Sequence, residues 1–143
     1  MKIRFINIVF ILAVMLASAC KTDNASEQKE KEPMAADGIV RLSKIEVHPQ
    51  YLDEYMKFAI EVGEVSLRTE PGVLTMYAVA EKDNPCLVTI LEIYASKEAY
   101  EKHIASEHFQ KKYKQGTLHM VKSLVLSDQT PLNPANRINN FIQ

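Results

Sequence analysis

The chain has 143 residues, 47% of them hydrophobic, with 17 basic against 18 acidic side chains, four histidines, two cysteines and no tryptophan. With a net charge of −1 and no clustered Lys/Arg stripe, nucleic acid is excluded as a partner, because its recognition needs cations that displace counterions from phosphates. The length allows one modest core and carries no repeat of solenoid period.

The first nineteen residues carry Lys2 and Arg4, then an apolar run from Phe5 to Ala19 broken only by Asn7 and Ser18. A basic start, an apolar middle and a small-residue end are the grammar of a secretory signal, and the run is short for a membrane-spanning helix. Leu16-Ala17-Ser18-Ala19-Cys20 resembles the bacterial lipobox, which implies lipidation of Cys20 after cleavage. Several acyl chains on one cysteine anchor stably where one binds only marginally. Lys21 stands where an Asp would signal inner-membrane retention, so the resemblance implies a cell-envelope protein, on the outer membrane in a Gram-negative source. Lipidation leaves Cys86 alone, and no disulfide can form within the chain. Residues 20–37 are then a lipidated cysteine and a tether, too polar to offset the entropy of ordering and expected to be disordered. Loss of Lys2 and Arg4 with the leader leaves 15 basic residues against 18 acidic, a net −3.

The folded part is expected over residues 38–128. IVRLSKIEV (39–47), β-branched and bounded by Gly38 and Pro49, predicts a strand. Pro49 suits a first helical turn, with Asp53 and Glu54 near the positive end of the dipole. Apolar residues at 52, 55, 56, 59, 62 and 67 predict an amphipathic helix that stops before Glu70-Pro71-Gly72. VLTMYAVA (73–80) and CLVTILEIY (86–94) around the polar EKDNP predict a hairpin. Ser96 is a candidate N-cap for a helix over 97–105, a short helical stretch covers 107–113, and VKSLVLSD (121–128) is the last strand. The order βαββαβ predicts an α+β ferredoxin-like sandwich: a four-stranded antiparallel sheet with helices on one face. Residues 129–143, polar with two prolines, read as an extended tail.

Leu87, Leu91 and Ile93 alternate with Val88, Ile90 and Tyr94, while Val73, Tyr77 and Val79 lie opposite Leu74, Met76 and Ala78. Two helices cover one face of such a sheet, so the second apolar face needs its own cover. A homodimer through the open sheet face supplies it.

The segment Glu92-Ile-Tyr-Ala-Ser-Lys-Glu-Ala-Tyr-Glu-Lys-His103-Ile-Ala-Ser106-Glu-His108-Phe109 resembles the antibiotic biosynthesis monooxygenase family, as do Arg68-Thr-Glu-Pro-Gly72 and the element order. The resemblance spans about residues 38–128. It implies ferredoxin-like subunits of the dimeric alpha-beta barrel type, with an apolar pocket between sheet and helices. It also implies oxidation of small quinol-like aromatics by molecular oxygen with no cofactor, neither metal nor flavin. Other members degrade haem or isomerise small phosphorylated signals, so the fold does not fix the reaction. The haem branch fits poorly: its first-strand asparagine has no counterpart in 39–47, and Tyr94 and Tyr113 stand where its tryptophan and histidine would be.

An electron-rich phenol or enol reacts with oxygen mainly after losing a proton, which calls for a general base, an apolar enclosure and a hydrogen-bond donor to the anion. His103 is the candidate base. Tyr94, Tyr77, Arg41 and Ser43 are candidate polar lining, and Met76 and Phe109 candidate apolar wall. Each has a plain alternative: His103 and His108 as hydrogen-bonded junction residues, the tyrosines as sheet aromatics, and Glu92 as an interface ion-pair partner or an acid–base group. His48 and His119 read as surface or junction residues. No metal is expected, because histidines five apart do not share a face of one helix. Two functions remain open: a cofactor-independent monooxygenase acting on a small-molecule substrate, or a non-catalytic, lipid-tethered dimer that binds a small hydrophobic ligand at the membrane.

Overall fold

A computed structural model describes residues 28–132; the signal, Cys20 and residues 133–143 lie outside that range. Strand β1 (Ile39–Val47) leads through a 3₁₀ turn (Pro49–Tyr51) into helix α1 (Leu52–Thr69). The hairpin β2 (Val73–Ala80) and β3 (Leu87–Tyr94) follows, then α2 (Lys97–Ala105), a π-helical segment (His108–Lys114) running into α3 (Gln115–Thr117), and β4 (Val121–Gln129). The strands form one open antiparallel sheet in the order β2-β3-β1-β4, the ferredoxin-like arrangement expected. Among the described residues no helix is long and apolar enough to cross a membrane.

The helices form where the pattern expects them. Tyr55, Ala59, Val62 and Ser66 are buried at spacings of three and four, one face of α1. Ser96 caps α2, its hydroxyl accepting from the Ala99 amide at 3.1 Å. Ile45, Val47, Tyr55, Ala59, Val88, Ile90 and Met120 form one core cluster, and Val73, Tyr94, Ala95 and Ala99 a second. Met76 packs against both.

Three features depart from simple periodicity. Val73 pairs with Tyr94 while Thr75 pairs with Ile93, so Leu74 is a bulge. The bulge turns Val73 to the helix side, where it is fully buried, instead of leaving it beside Tyr77 and Val79. The second departure is the connection after α2, where Ser106 is extended (φ −63°, ψ 150°) and breaks the helix. Beyond it the chain winds more widely, with the Gln115 amide bonded to the Gln110 carbonyl five residues back.

The third revises the expectation of a disordered tether for the part of it that is described. Residues 28–37 run along the domain as a strap: the Lys29 amide bonds the Arg68 carbonyl (3.2 Å), Glu32 bonds Pro71 (3.1 Å) and Ala35 bonds Ala95 (2.7 Å). Composition underrates this stretch because its anchors are backbone amides, which any sequence except proline carries.

Gly72 marks the closest approach of the β2 entry to α2. A Cβ there would lie 2.4 Å from the Ala99 Cβ, which α2 holds in place. Gly72→Ala is therefore expected to cost about 1–3 kcal/mol by overpacking, read as a lower urea midpoint at unchanged slope.

Candidate active site

Between the two core clusters the helix face of the sheet opens into a cleft of about 600 Å³, its mouth included. Alternate residues of β1 and β3 form its floor: Arg41, Ser43 and Ile45 from one, Ile90, Glu92 and Tyr94 from the other. The walls come from Met76, Val62 on α1, Tyr100, His103 and Ile104 on α2, and Phe109 and Tyr113 on the π segment. Leu124 and Leu126 of edge strand β4 form the rim. They share the helix side with Ile45 and Ser43, their register partners, yet are 55% and 54% exposed because no helix reaches that edge.

Three polar groups stand out around this apolar space. His103, 1% exposed, places Nδ1 3.0 Å from Glu70 Oε1. A carboxylate only accepts, so Nδ1 carries a proton and, in the neutral ring, Nε2 the lone pair. His108 donates from Nε2 to the same Glu70 oxygen at 2.7 Å, with Ser66 Oγ at 3.1 Å and Ser106 Oγ at 3.2 Å from that nitrogen. Burial raises the Glu70 carboxyl, but hydrogen bonds from His103, His108 and Ser66 outweigh it and hold it below the ordinary carboxylate value. Glu70 is therefore a fixed anion between two imidazoles.

The second group lies on the sheet. Ser43 Oγ donates to Glu92 Oε1, and Tyr94 OH donates to Glu92 Oε2 at 2.6 Å. Burial, reinforced by the Glu92 charge, pushes the Tyr94 phenol far above its ordinary range. Tyr55 and Tyr113 share a 2.8 Å hydroxyl hydrogen bond nearby, and burial raises both. These phenols stay neutral donors. The third group is at the mouth, where Arg41 donates from Nε to Asp128 at 2.6 Å and lies 4.6 Å over the Tyr100 ring. The Asp128 hydrogen bond raises its pKa further, so it remains a cation.

His103, Arg41, Ser43, Met76, Tyr94 and Phe109, all read from the sequence as site residues, meet in this cleft. Tyr77 does not. It follows Met76 on the same strand, so the pleat sends it to the opposite face, where it is 65% exposed. His119 stacks edge-on against Tyr51 with centroids 5.0 Å apart, and neither it nor His48 lines the cleft. Glu70, Tyr100 and Tyr113 were missed as site residues. Glu70 was visible only as a motif letter in Arg68-Thr-Glu-Pro-Gly72. Glu92 was readable, since it alternates with Ile90 and Tyr94.

The five-residue spacing of His103 and His108 does not keep the two rings apart. The break at Ser106 lets His103 and His108 approach to 6.2 Å between ring centroids despite their i, i+5 separation. Their facing atoms and that of Glu70 lie within 4.8 Å of one another. Each is already satisfied within the trio, which closes on itself as a hydrogen-bonded cluster.

The Glu70 carboxyl gives a pH expectation. Its folded value lies below 4.5, so its stabilisation is complete above that pH and is lost as pH falls through the folded value. Glu70→Gln should lower the urea midpoint at neutral pH and flatten its decline as pH falls below 4.5.

Residues 38–115 match the profile of a family described as antibiotic biosynthesis monooxygenase. No curated protein matches the chain. Among solved structures, a Bacteroides thetaiotaomicron VPI-5482 protein named for the same activity is 57% identical, with a TM-score of 0.66 over 67% of this chain and 90% of its own. A protein of Lactobacillus acidophilus NCFM named as a monooxygenase is 28% identical, with a TM-score of 0.64 over 68% of this chain. The match spans 46% of that protein, so this chain covers about half its length. A Caulobacter crescentus CB15 protein, 21% identical with a TM-score of 0.61 over 67% of this chain and 91% of its own, shares the fold.

Proposed function

Since the chain belongs to the antibiotic biosynthesis monooxygenase family, we propose that it is a cofactor-independent monooxygenase that oxidises a small quinol-like or enolic compound in the cell envelope. The observation that carries this reading is the Glu70–His103 pair at the wall of a largely apolar cleft. Glu70 fixes the tautomer in which Nε2 is free to accept a proton, and imidazole is the side chain suited to exchange one near neutral pH. Nε2 has no protein partner among the described hydrogen bonds.

His103 takes the proton of the substrate hydroxyl or enol. Oxygen then takes two electrons from the anion and adds to its carbon as a peroxide. Loss of the C–H proton at that carbon supplies the second electron pair and breaks the O–O bond, leaving one oxygen in the product as a carbonyl while the other departs, protonated, as water. The Arg41 cation, bonded to Asp128 only through Nε, keeps its terminal guanidinium donors to hold oxygen-centred charge at the mouth of the cleft. Phe109, Met76, Ile90 and Ile104 keep water from the anion. Oxygen-electrode assays with a panel of hydroquinones test the reading; no uptake with any of them overturns it.

The envelope location and the lipid anchor at Cys20 belong to the same proposal and rest on the leader sequence. So does the homodimer. Tyr77, Val79 and Val125 are 65%, 47% and 58% exposed on the sheet face away from the helices, an apolar surface suited to a second copy.

A further inference from the structure

We propose that Lys31, on the strap that precedes the family domain, is a positioning residue for the Glu70–His103 pair. This deepens the reading of the cleft as an active site and rests on it. Lys31 lies seven residues before the matched segment begins at 38.

The geometry is specific. Lys31 Nζ donates to the Leu67 carbonyl and, at 3.1 Å, to the carbonyl of Glu70 itself. Leu67 carries one of the last carbonyls of α1, which no further helical turn satisfies, and Glu70 is the C-cap, so both acceptors lie at the negative end of the helix dipole. Three strap amides hold the segment in register, bonded to Arg68, Pro71 and Ala95, and two of these acceptors flank Glu70. An ammonium ordinarily stays in water. Here burial lowers the Lys31 pKa and the Glu70 charge draws it back up, so the cation is partly desolvated for the sake of this contact.

The consequence reaches His103 through one residue. Glu70 has its amide bonded to the Ser66 carbonyl at 3.0 Å and its own carbonyl held by Lys31 and, at 3.2 Å, by the Val73 amide. With the backbone fixed on both sides, the carboxylate can sit between two imidazoles. The helix end alone would not hold it, because Pro71 and Gly72 follow and the chain turns there. The charged and titratable groups around the pair are His108 on the π segment, Tyr94 on β3 with Glu92 behind it, and Lys31. Glu32, Glu98 and Lys102 line the outer cleft that reaches Glu70.

The test is imidazole NMR on the full chain, comparing wild type with Lys31→Met and Lys31→Arg. Positioning through Glu70 predicts that Lys31→Met loses the downfield Nδ1–H signal of His103 and mixes its tautomers. Lys31→Arg, which keeps a cationic donor, restores both. An unchanged His103 spectrum overturns the proposal. So does a loss of both in Lys31→Arg as well, which would tie the change to the packing of the strap and not to a cationic donor at Glu70. Neither readout needs a substrate, so the result stands apart from whether oxygen uptake is found.

Discussion

Replacing His103 with alanine is expected to lower oxygen uptake on hydroquinones by about 10²–10⁴-fold, the usual contribution of a positioned general base. The ring is 1% exposed and anchors one side of Glu70, so alanine also opens a void and unpairs a buried carboxylate. Circular dichroism and a urea titration separate the two effects. His103→Asn sharpens the test, because its amide can still donate toward Glu70 while offering no basic nitrogen. Both variants should lose uptake, with Asn keeping more stability. If uptake survives in both, the proton acceptor lies elsewhere in the cleft, and Glu92 becomes the next candidate.

The element order was legible because each signal is local. Ser96 with Glu98 announces a helix start, Glu70-Pro71-Gly72 a stop, and the burial rhythm of Tyr55, Ala59 and Val62 a face. The strand faces were legible too, except where a bulge intervenes. Nothing in VLTMY marks Leu74 as the extra residue. It is set by the pairing of Val73 with Tyr94, a partner twenty-one positions away.

The site was harder for a related reason. His103 stood out by type and motif, but its partner arrives from the end of α1, and the sequence does not say that Glu70 and α2 meet. Judging His103 and His108 by the i, i+4 rule of a single helix, although the expected helices break between 105 and 107, hid the approach of the two histidines. Wider winding after Ser106 likewise brought Tyr113 beside Phe109, with centroids 5.7 Å apart, lining the same wall. Tyr77 failed for the opposite reason. Strand alternation, available from the sequence, already forbade it from sharing a pocket with Met76. The strap was invisible because its contacts are made by amides and by one lysine in a polar run.

Leu91→Lys is expected to turn the proposed dimer into monomers. Leu91 sits on the face opposite the core, paired with Leu42 on β1 and Tyr77 on β2, at the centre of the apolar patch. In a two-fold interface the same patch meets its copy, so one substitution installs two ammonium groups on apposed surfaces. Each would be buried without a partner at about 3–5 kcal/mol. Together they raise the dissociation constant by about 10⁴-fold or more. The monomer itself should fold normally, because Val88, Ile90 and Tyr94 alternate to the other side and keep the core intact. Analytical ultracentrifugation should therefore show the wild type at twice the chain mass and the variant at the chain mass, with near-native melting. A variant that stays dimeric would place the interface elsewhere. A wild type that is monomeric at high concentration would leave the exposed Tyr77, Val79 and Val125 without the second copy proposed for them.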